Sequence, residues 1–204
     1  MFDILQASFW SITYVLLIVY AIKYKTHGIP LTAICLNYGW ETVALIRSLF
    51  VLKTFSLALL VHIAWFSLDT IIVALFLFHE TPIVDNIKQK ALFLFSLLAT
   101  IASCFVLFNI GGMLLSCFAI DLIMAVAFLA FAFREEVVFS PLSITIGIAK
   151  FIGDTFAWLC YRDNPIVNII GIVVLLCNIA YVLILLRIYY RNKIKNKIVQ
   201  EDEK

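Results

Sequence analysis

Charge is scarce in this chain, and the scarcity excludes most of what a protein of its size could be. Asp, Glu, Lys and Arg make up 14% of its 204 residues and hydrophobic residues 64%, where soluble domains run at about 25% and about 45–50%. With a mean hydropathy of +1.08 and a mass of 23.2 kDa, the chain cannot hide its apolar surface from water, so lipid must be its solvent. A formal net charge of +2 is too small to imply a nucleic-acid partner. Familiar catalytic signatures are missing as well. The sequence has no P-loop, no G-x-G-x-x-G, no G-x-S-x-G and no H-E-x-x-H zinc spacing. An Asp-Asp-x-x-Asp arrangement able to hold magnesium diphosphate is also absent, which speaks against metal-dependent ionisation of a substrate. Cys35, Cys104, Cys117, Cys160 and Cys177 form no C-x-x-C pair and read as small hydrophobes within helices. No cofactor and no metal is expected.

What the chain does have is a succession of apolar runs, each of the length that crosses a hydrocarbon core about 30 Å thick. These place helices near 4–22, 31–52, 54–78, 91–108, 113–133, 139–161 and 166–187. The fold expected is therefore all-α, a polytopic membrane protein built as a seven-transmembrane-helix bundle. Residues 1–187 form that bundle and 188–204 a tail, basic and then acidic. Between Ala91 and Phe133 the only charge is Asp121, and the run is too long for one crossing; Asn109-Ile110-Gly111-Gly112 is the natural break.

Basic residues set the orientation. Lys23, Lys25, Lys88, Lys90 and Arg134 fall on one side with six from the tail (Arg187, Arg191, Lys193, Lys195, Lys197 and Lys204), while Lys53 and Arg162 fall on the other. This puts the N-terminus outside and the C-terminus in the cytoplasm. The opening Met1-Phe2-Asp3 lacks a basic stretch, and no small-residue cleavage site precedes Lys23, so the first helix is expected to be retained. The cell (plasma) membrane is the expected location. Oligomeric state is not readable from these residues.

Four carboxylates fall inside the apolar runs: Glu41, Asp69, Asp121 and Asp154, with Arg47, His62 and Lys150 as company. Each costs about 2.5–3.5 kcal/mol at a helix centre on insertion scales and so needs a reason. Lys150 and Asp154 have one, an i, i+4 ion-pair spacing. Arg47, near a helix end, can snorkel to the interface. Glu41 has no such excuse. It lies near mid-membrane, with Asn37 one turn away on the same face and Trp40 beside it. On the third helix His62, Trp65, Phe66 and Asp69 share one stripe, and Asp69 is also near mid-depth. Two carboxyls from neighbouring helices, with amide and aromatic company, make a polar pocket in an apolar bundle, where a neutral carboxylic acid can act as proton donor. The alternative is a hydrogen bond between Asn37, Glu41 and Asp69 that only fixes helix packing.

Residues 25–45 read KTHGIPLTAICLNYGWETVAL. A Lys-Thr-x-Gly-x-Pro turn, formed by Lys25, Thr26, Gly28 and Pro30, leads into Cys35-x-Asn37-x-x-Trp40-Glu41. Together with Trp65-x-x-x-Asp69, this resembles the small seven-helix transmembrane terpene cyclase family, which includes fungal meroterpenoid and indole-diterpene cyclases and bacterial relatives. The likeness is strongest over residues 23–70. It implies proton-initiated, metal-independent cyclisation of a prenyl chain or its epoxide, with an apolar prenyl-type substrate and the bilayer as partners. It also implies that Glu41 is the general acid. In the family a second acid lies in an Asp-x-x-Tyr setting of the last helix, where this sequence has Asn178-x-x-Tyr181; the resemblance then leaves Asp154 or Asp69 to substitute for it, or a different chemistry. Catalytic candidates are thus Glu41 and Asp69. Asn37, Trp40, Trp65, Asp154, Asn178 and Tyr181 are candidates for binding substrate, and aromatic faces such as those of Trp40 and Trp65 can stabilise a passing carbocation.

Two other classes fit a chain of this kind. One is a small transporter with helices in a three-one-three arrangement of parallel repeats, although residues 4–78 and 113–187 show no convincing likeness. The other is a membrane scaffold or sensor without chemistry. A retinal-binding photoreceptor fits poorly, because the run 166–187 has no lysine for a Schiff base.

Overall fold

The turn between the first two helices shows how local chemistry sets the architecture. In the computed structural model, which describes residues 2–52, 55–78, 87–133 and 139–202, helix α1 spans Phe2–Tyr24 and α2 spans Leu31–Arg47. Lys25 ends α1 by adopting a φ of 51°, the left-handed conformation that terminates helices. Pro30, with φ −63° and ψ 143°, sets the extended approach to α2. Between them Gly28 lies tight against α1, since a Cβ there would come within 2.8 Å of the Tyr20 ring. The buried His27 stacks on Phe76 with ring centroids 3.5 Å apart. The Lys-Thr-x-Gly-x-Pro turn is therefore a packed corner between the first three helices.

Four further helices follow: α3 at Leu57–Phe78, α4 at Ile87–Phe131, α5 at Pro141–Tyr161 and α6 at Pro165–Asp202, with a π-helical turn at Ser48–Leu52 extending α2. Two of their starts are written in the sequence. Ser140 and Ser143 form a reciprocal capping box ahead of α5, with Pro141 in the first turn. Asn164 Oδ1 accepts hydrogen bonds from the backbone N–H groups of Ile166 (3.1 Å) and Val167 (3.2 Å), capping α6 behind Pro165.

The 45 residues of α4 would span about 67 Å if straight, more than twice a hydrocarbon core. They are not straight. Gly112 leaves helical geometry with φ 70° and ψ 176°, a conformation open essentially to glycine alone, so α4 consists of two arms meeting at the Asn109–Gly112 segment. The Ser116 hydroxyl donates to the Gly112 carbonyl at 2.5 Å, satisfying an acceptor beside the break. At the other end of the chain, α6 continues as helix past Arg187 to Asp202, because no glycine or proline follows Gly171 to interrupt it.

The fold is all-α, with no strand among the described residues. Helices α1, α3, α4, α5 and α6 are each long and apolar enough to cross a membrane, while α2 has 17 residues before its π-helical extension. Packing joins α2 to α4 and α1 to α5, with α3 against α1 and α2, and α6 closing on α4 and α5. Gly39 permits the α2–α4 approach: a Cβ there would lie 3.1 Å from Cys104 Sγ and 3.3 Å from the backbone nitrogen of Ile101. The core gathers Tyr14, Tyr20, Ile34, Phe76, Phe93 and Phe128. Large apolar side chains such as Phe55 (84% exposed) and Phe78 (83%) point outward, the reverse of a water-facing surface and the expected face for lipid. This is an integral membrane protein. Of the residues that set its expected orientation, Lys53, Arg134 and Lys204 lie outside the described residues.

Candidate active site

A half-open cavity of about 540 Å³ lies among α1, α2, α3, the second arm of α4, and α5. Its wall is mostly apolar and aromatic, with Trp10 and Tyr14 from α1, Trp40 from α2 and Trp65 from α3. The indole of Trp65 is fixed by donating to Ser11 Oγ at 3.0 Å, and the Tyr14 ring lies between those of Trp10 (5.9 Å) and Trp65 (6.2 Å). The end lined by Asp3, Leu57 and Tyr161 is where α1 and α3 begin and α5 ends.

Glu41 reaches this cavity from the middle of α2 and is 2% exposed. Its Oε2 lies 2.9 Å from His62 Nδ1, a polar contact that holds the carboxyl against the wall. His62 comes from the third-helix stripe, in which His62, Phe66 and Asp69 meet α2 while Trp65 meets α1. His62 and Trp65 line the cavity, Phe66 packs on Tyr38 with ring centroids 5.2 Å apart, and Asp69 hydrogen-bonds Asn37. The helical register of α3 thus delivers an imidazole to Glu41 and a carboxylate to Asn37, seven residues apart.

Asp69 itself does not line the cavity. Asn37 stands in front of it, donating from Nδ2 to Asp69 Oδ2 at 2.8 Å and to the hydroxyl of Tyr14. Asn37, Trp40, Trp65 and Asp154 all reach the cavity, whereas Asn178 and Tyr181 do not. Asn178 lies behind Asp154, donating to its Oδ2 at 2.7 Å. Tyr181 packs edge-on against Phe128, with centroids 5.5 Å apart, and fills the space beside Gly147.

Lys150 and Asp154 pair as their i, i+4 spacing implies, with Nζ 2.5 Å from Oδ2. The same ammonium also reaches Asp121 of α4 (3.5 Å) and Asn178 of α6 (3.2 Å). Both Asp121 and Asp154 line the cavity. Arg47 places its guanidinium 4.5 Å from the Phe108 ring centroid, sheltered by an aromatic face on α4.

Several lining residues had no partner legible in the sequence. The Trp10-x-x-x-Tyr14 pair on α1 has i, i+4 spacing, which an apolar helix full of aromatics does not make conspicuous. Asp121 is one of the four intramembrane carboxyls, but its tie to Lys150 crosses from α4 to α5. Cys117 lines the same cavity as Glu41, Asp121 and Asp154.

A family model described as Pyr4-like transmembrane terpene cyclases matches residues 1–145. The chain belongs to that family. Membership makes it a terpene-cyclase-like integral membrane protein and implies a hydrophobic prenyl substrate. The match to the transmembrane terpene cyclases covers α1 to α4 with Glu41, Asn37, Trp40, Trp65, Asp69 and Asp121; it stops short of Lys150, Asp154, Asn178 and Tyr181. No curated protein and no solved structure gave a significant match.

Proposed function

We propose that this chain is a cyclase that starts the cyclisation of a prenyl chain, or of its epoxide, by transferring a proton from Glu41. The observation that carries the reading is the position of Glu41, buried on the wall of an aromatic cavity in a chain of the transmembrane terpene cyclase family. A neutral carboxylic acid there gives its proton to an alkene carbon, whose π electrons form the new C–H bond and leave a cation next door. With an epoxide, the proton goes to oxygen and the C–O bond breaks as ring closure begins. No step calls on a metal.

The surroundings serve this chemistry. A volume of about 540 Å³ falls in the range of small-ligand pockets, about 300–1,000 Å³, and a substrate filling this mostly apolar cavity displaces the water that would quench the cation. Trp10, Trp40 and Trp65 offer π faces, each able to stabilise a desolvated cation by about 2 kcal/mol. His62 holds the Glu41 carboxyl in one orientation and gives the spent carboxylate a partner. Asn37, Tyr14 and Asp69 form a supporting hydrogen-bond chain, with Asp69 acting through Asn37. The second carboxyl that the family carries at the position of Asn178 is replaced by that of Asp154, which hydrogen-bonds Asn178 and lines the cavity.

The proposal extends to topology. Because Gly112 divides α4 into two arms, the helices count as seven crossings, with the N-terminus outside and the C-terminus cytoplasmic on the balance of basic residues. Residues 1–187 form the bundle, and 188–204 a basic then acidic cytoplasmic tail. The plasma membrane is the expected compartment, which cell fractionation checks. With the family established, no observation favours the transporter or scaffold alternatives.

The test is Glu41→Gln in membranes offered prenyl, prenyl-phenol and prenyl-epoxide substrates. Wild type should cyclise at least one class, and the variant should insert normally and lose about 10²-fold or more of that rate, the scale of general acid catalysis. Full activity in the variant removes Glu41 as acid. A wild type that leaves all three classes unchanged removes the cyclase reading.

A further inference from the structure

The charged cluster on the same cavity has a part that initiation leaves unused. Lys150 is 1% exposed, and its ammonium contacts Asp154 Oδ2 (2.5 Å), Asn178 Oδ1 (3.2 Å) and Asp121 Oδ1 (3.5 Å). One ammonium stands against two carboxyls, so the cluster holds either a surplus negative charge or one exchangeable proton. Both carboxyl residues line the cavity. Asp154 is saturated on one side only: Oδ2 accepts from Lys150 and Asn178, while Oδ1 is buried and has no hydrogen-bond partner among the described residues. A pair built only for packing would satisfy that oxygen, since an orphaned buried acceptor costs about 1–3 kcal/mol, and more for a charged group.

We infer that Asp154 is the base that ends the cyclisation, taking a proton on Oδ1 while Lys150 and Asn178 hold Oδ2. The inference rests on the cyclase reading and specifies its last step. After ring closure the terminal carbocation has a hydrogen on the adjacent carbon. Asp154 Oδ1 takes it as a proton, the C–H electron pair becomes the new C=C bond, and the carboxylate becomes a carboxylic acid. Glu41 has given one proton and Asp154 has gained one, so the overall reaction is an isomerisation with no external co-reactant. The two carboxyls exchange the proton with water between turnovers. Before that, the anionic side of the cluster attracts the cation away from Glu41. Asp121 contributes to that field, and Lys150 is a positioning residue that fixes which Asp154 oxygen is free. The product class follows: a cyclised alkene isomeric with the substrate, not an alcohol formed by capture of water.

The experiment uses the full-length chain in membranes and reads both rate and product identity, beside Glu41→Gln as reference. Asp154→Asn should lower kcat by roughly 10²-fold with little change in KM. Its residual product should shift toward alcohols or other alkene positions. A substrate deuterated at the carbon that loses hydrogen should give an isotope-dependent product ratio in wild type and a different ratio in the variant. Asp154→Glu keeps the charge and moves the oxygen by one methylene. It serves if Asp154→Asn does not accumulate, and should change the alkene ratio without loss of fold. Unchanged rate and unchanged product ratio in these variants, with Glu41→Gln inactive, overturn the terminating role and leave initiation intact. An active Glu41→Gln overturns the initiating role instead.

Discussion

Lys150→Met removes the only cation among the described residues of a buried network, and the structure sets the scale of the loss. The substitution preserves volume but takes away the donor to Asp154 at 2.5 Å and to Asn178 at 3.2 Å, with a longer contact to Asp121 at 3.5 Å. Hydrogen bonds to charged groups contribute about 1.5–3 kcal/mol each, so the two shorter ones predict roughly 3–6 kcal/mol. That agrees with about 3–5 kcal/mol for removing one partner of a buried ion pair. Asp154→Asn should cost less, because Lys150 keeps Asp121 and the new amide can still accept. The double variant should cost less than the sum of the singles, with a coupling of about 2 kcal/mol, since neither charge is then left alone. Thermal unfolding of detergent-solubilised protein checks this: at about 2–4 °C per kcal/mol for a chain of this size, Lys150→Met should lower Tm by roughly 10 °C. Losses that add within about 0.5 kcal/mol would show that the two side chains do not interact and would refute the buried network.

Other expectations follow from single positions. Gly112→Ala meets no atom within 4 Å of the new Cβ but must adopt φ +70°, so it should destabilise by about 1–3 kcal/mol through backbone strain alone; an unchanged Tm would mean that α4 is not broken there. Gly39→Leu forces α2 away from Cys104 and the Ile101 backbone and should cost about 1–3 kcal/mol by overpacking, read as a lower Tm; full stability would show that the helices do not meet at that point. A reporter fused after Lys204 should be cytoplasmic and one inserted at Asp163-Asn164 external, and finding both on one side would remove the seven-crossing topology.

Much of this protein follows from its residues taken one segment at a time. Scarce charge and long apolar runs determine that the chain is helical and lives in lipid, because only internally hydrogen-bonded backbone crosses a bilayer cheaply. Local rules also locate the interruption of α4 at Gly112, the turn at Lys25–Pro30, and the Lys150–Asp154 pair, all of which depend on neighbours within a few residues. The depth of Glu41 is likewise a matter of counting along one helix.

What the sequence did not determine is which faces meet. In water a helix announces its inner face by being apolar there, but in lipid both faces are apolar and the helical period carries little information about packing. The tertiary structure therefore decided that His62 holds Glu41, that Asn37 screens Asp69 from the cavity, and that Asn178 backs Asp154 across 24 residues of chain. It also brought Asp121 to the same lysine from another helix. These contacts depend on how each helix is rotated about its axis, and that rotation is set by close approaches such as Gly39 on Cys104, where the shapes of two distant segments must fit at once.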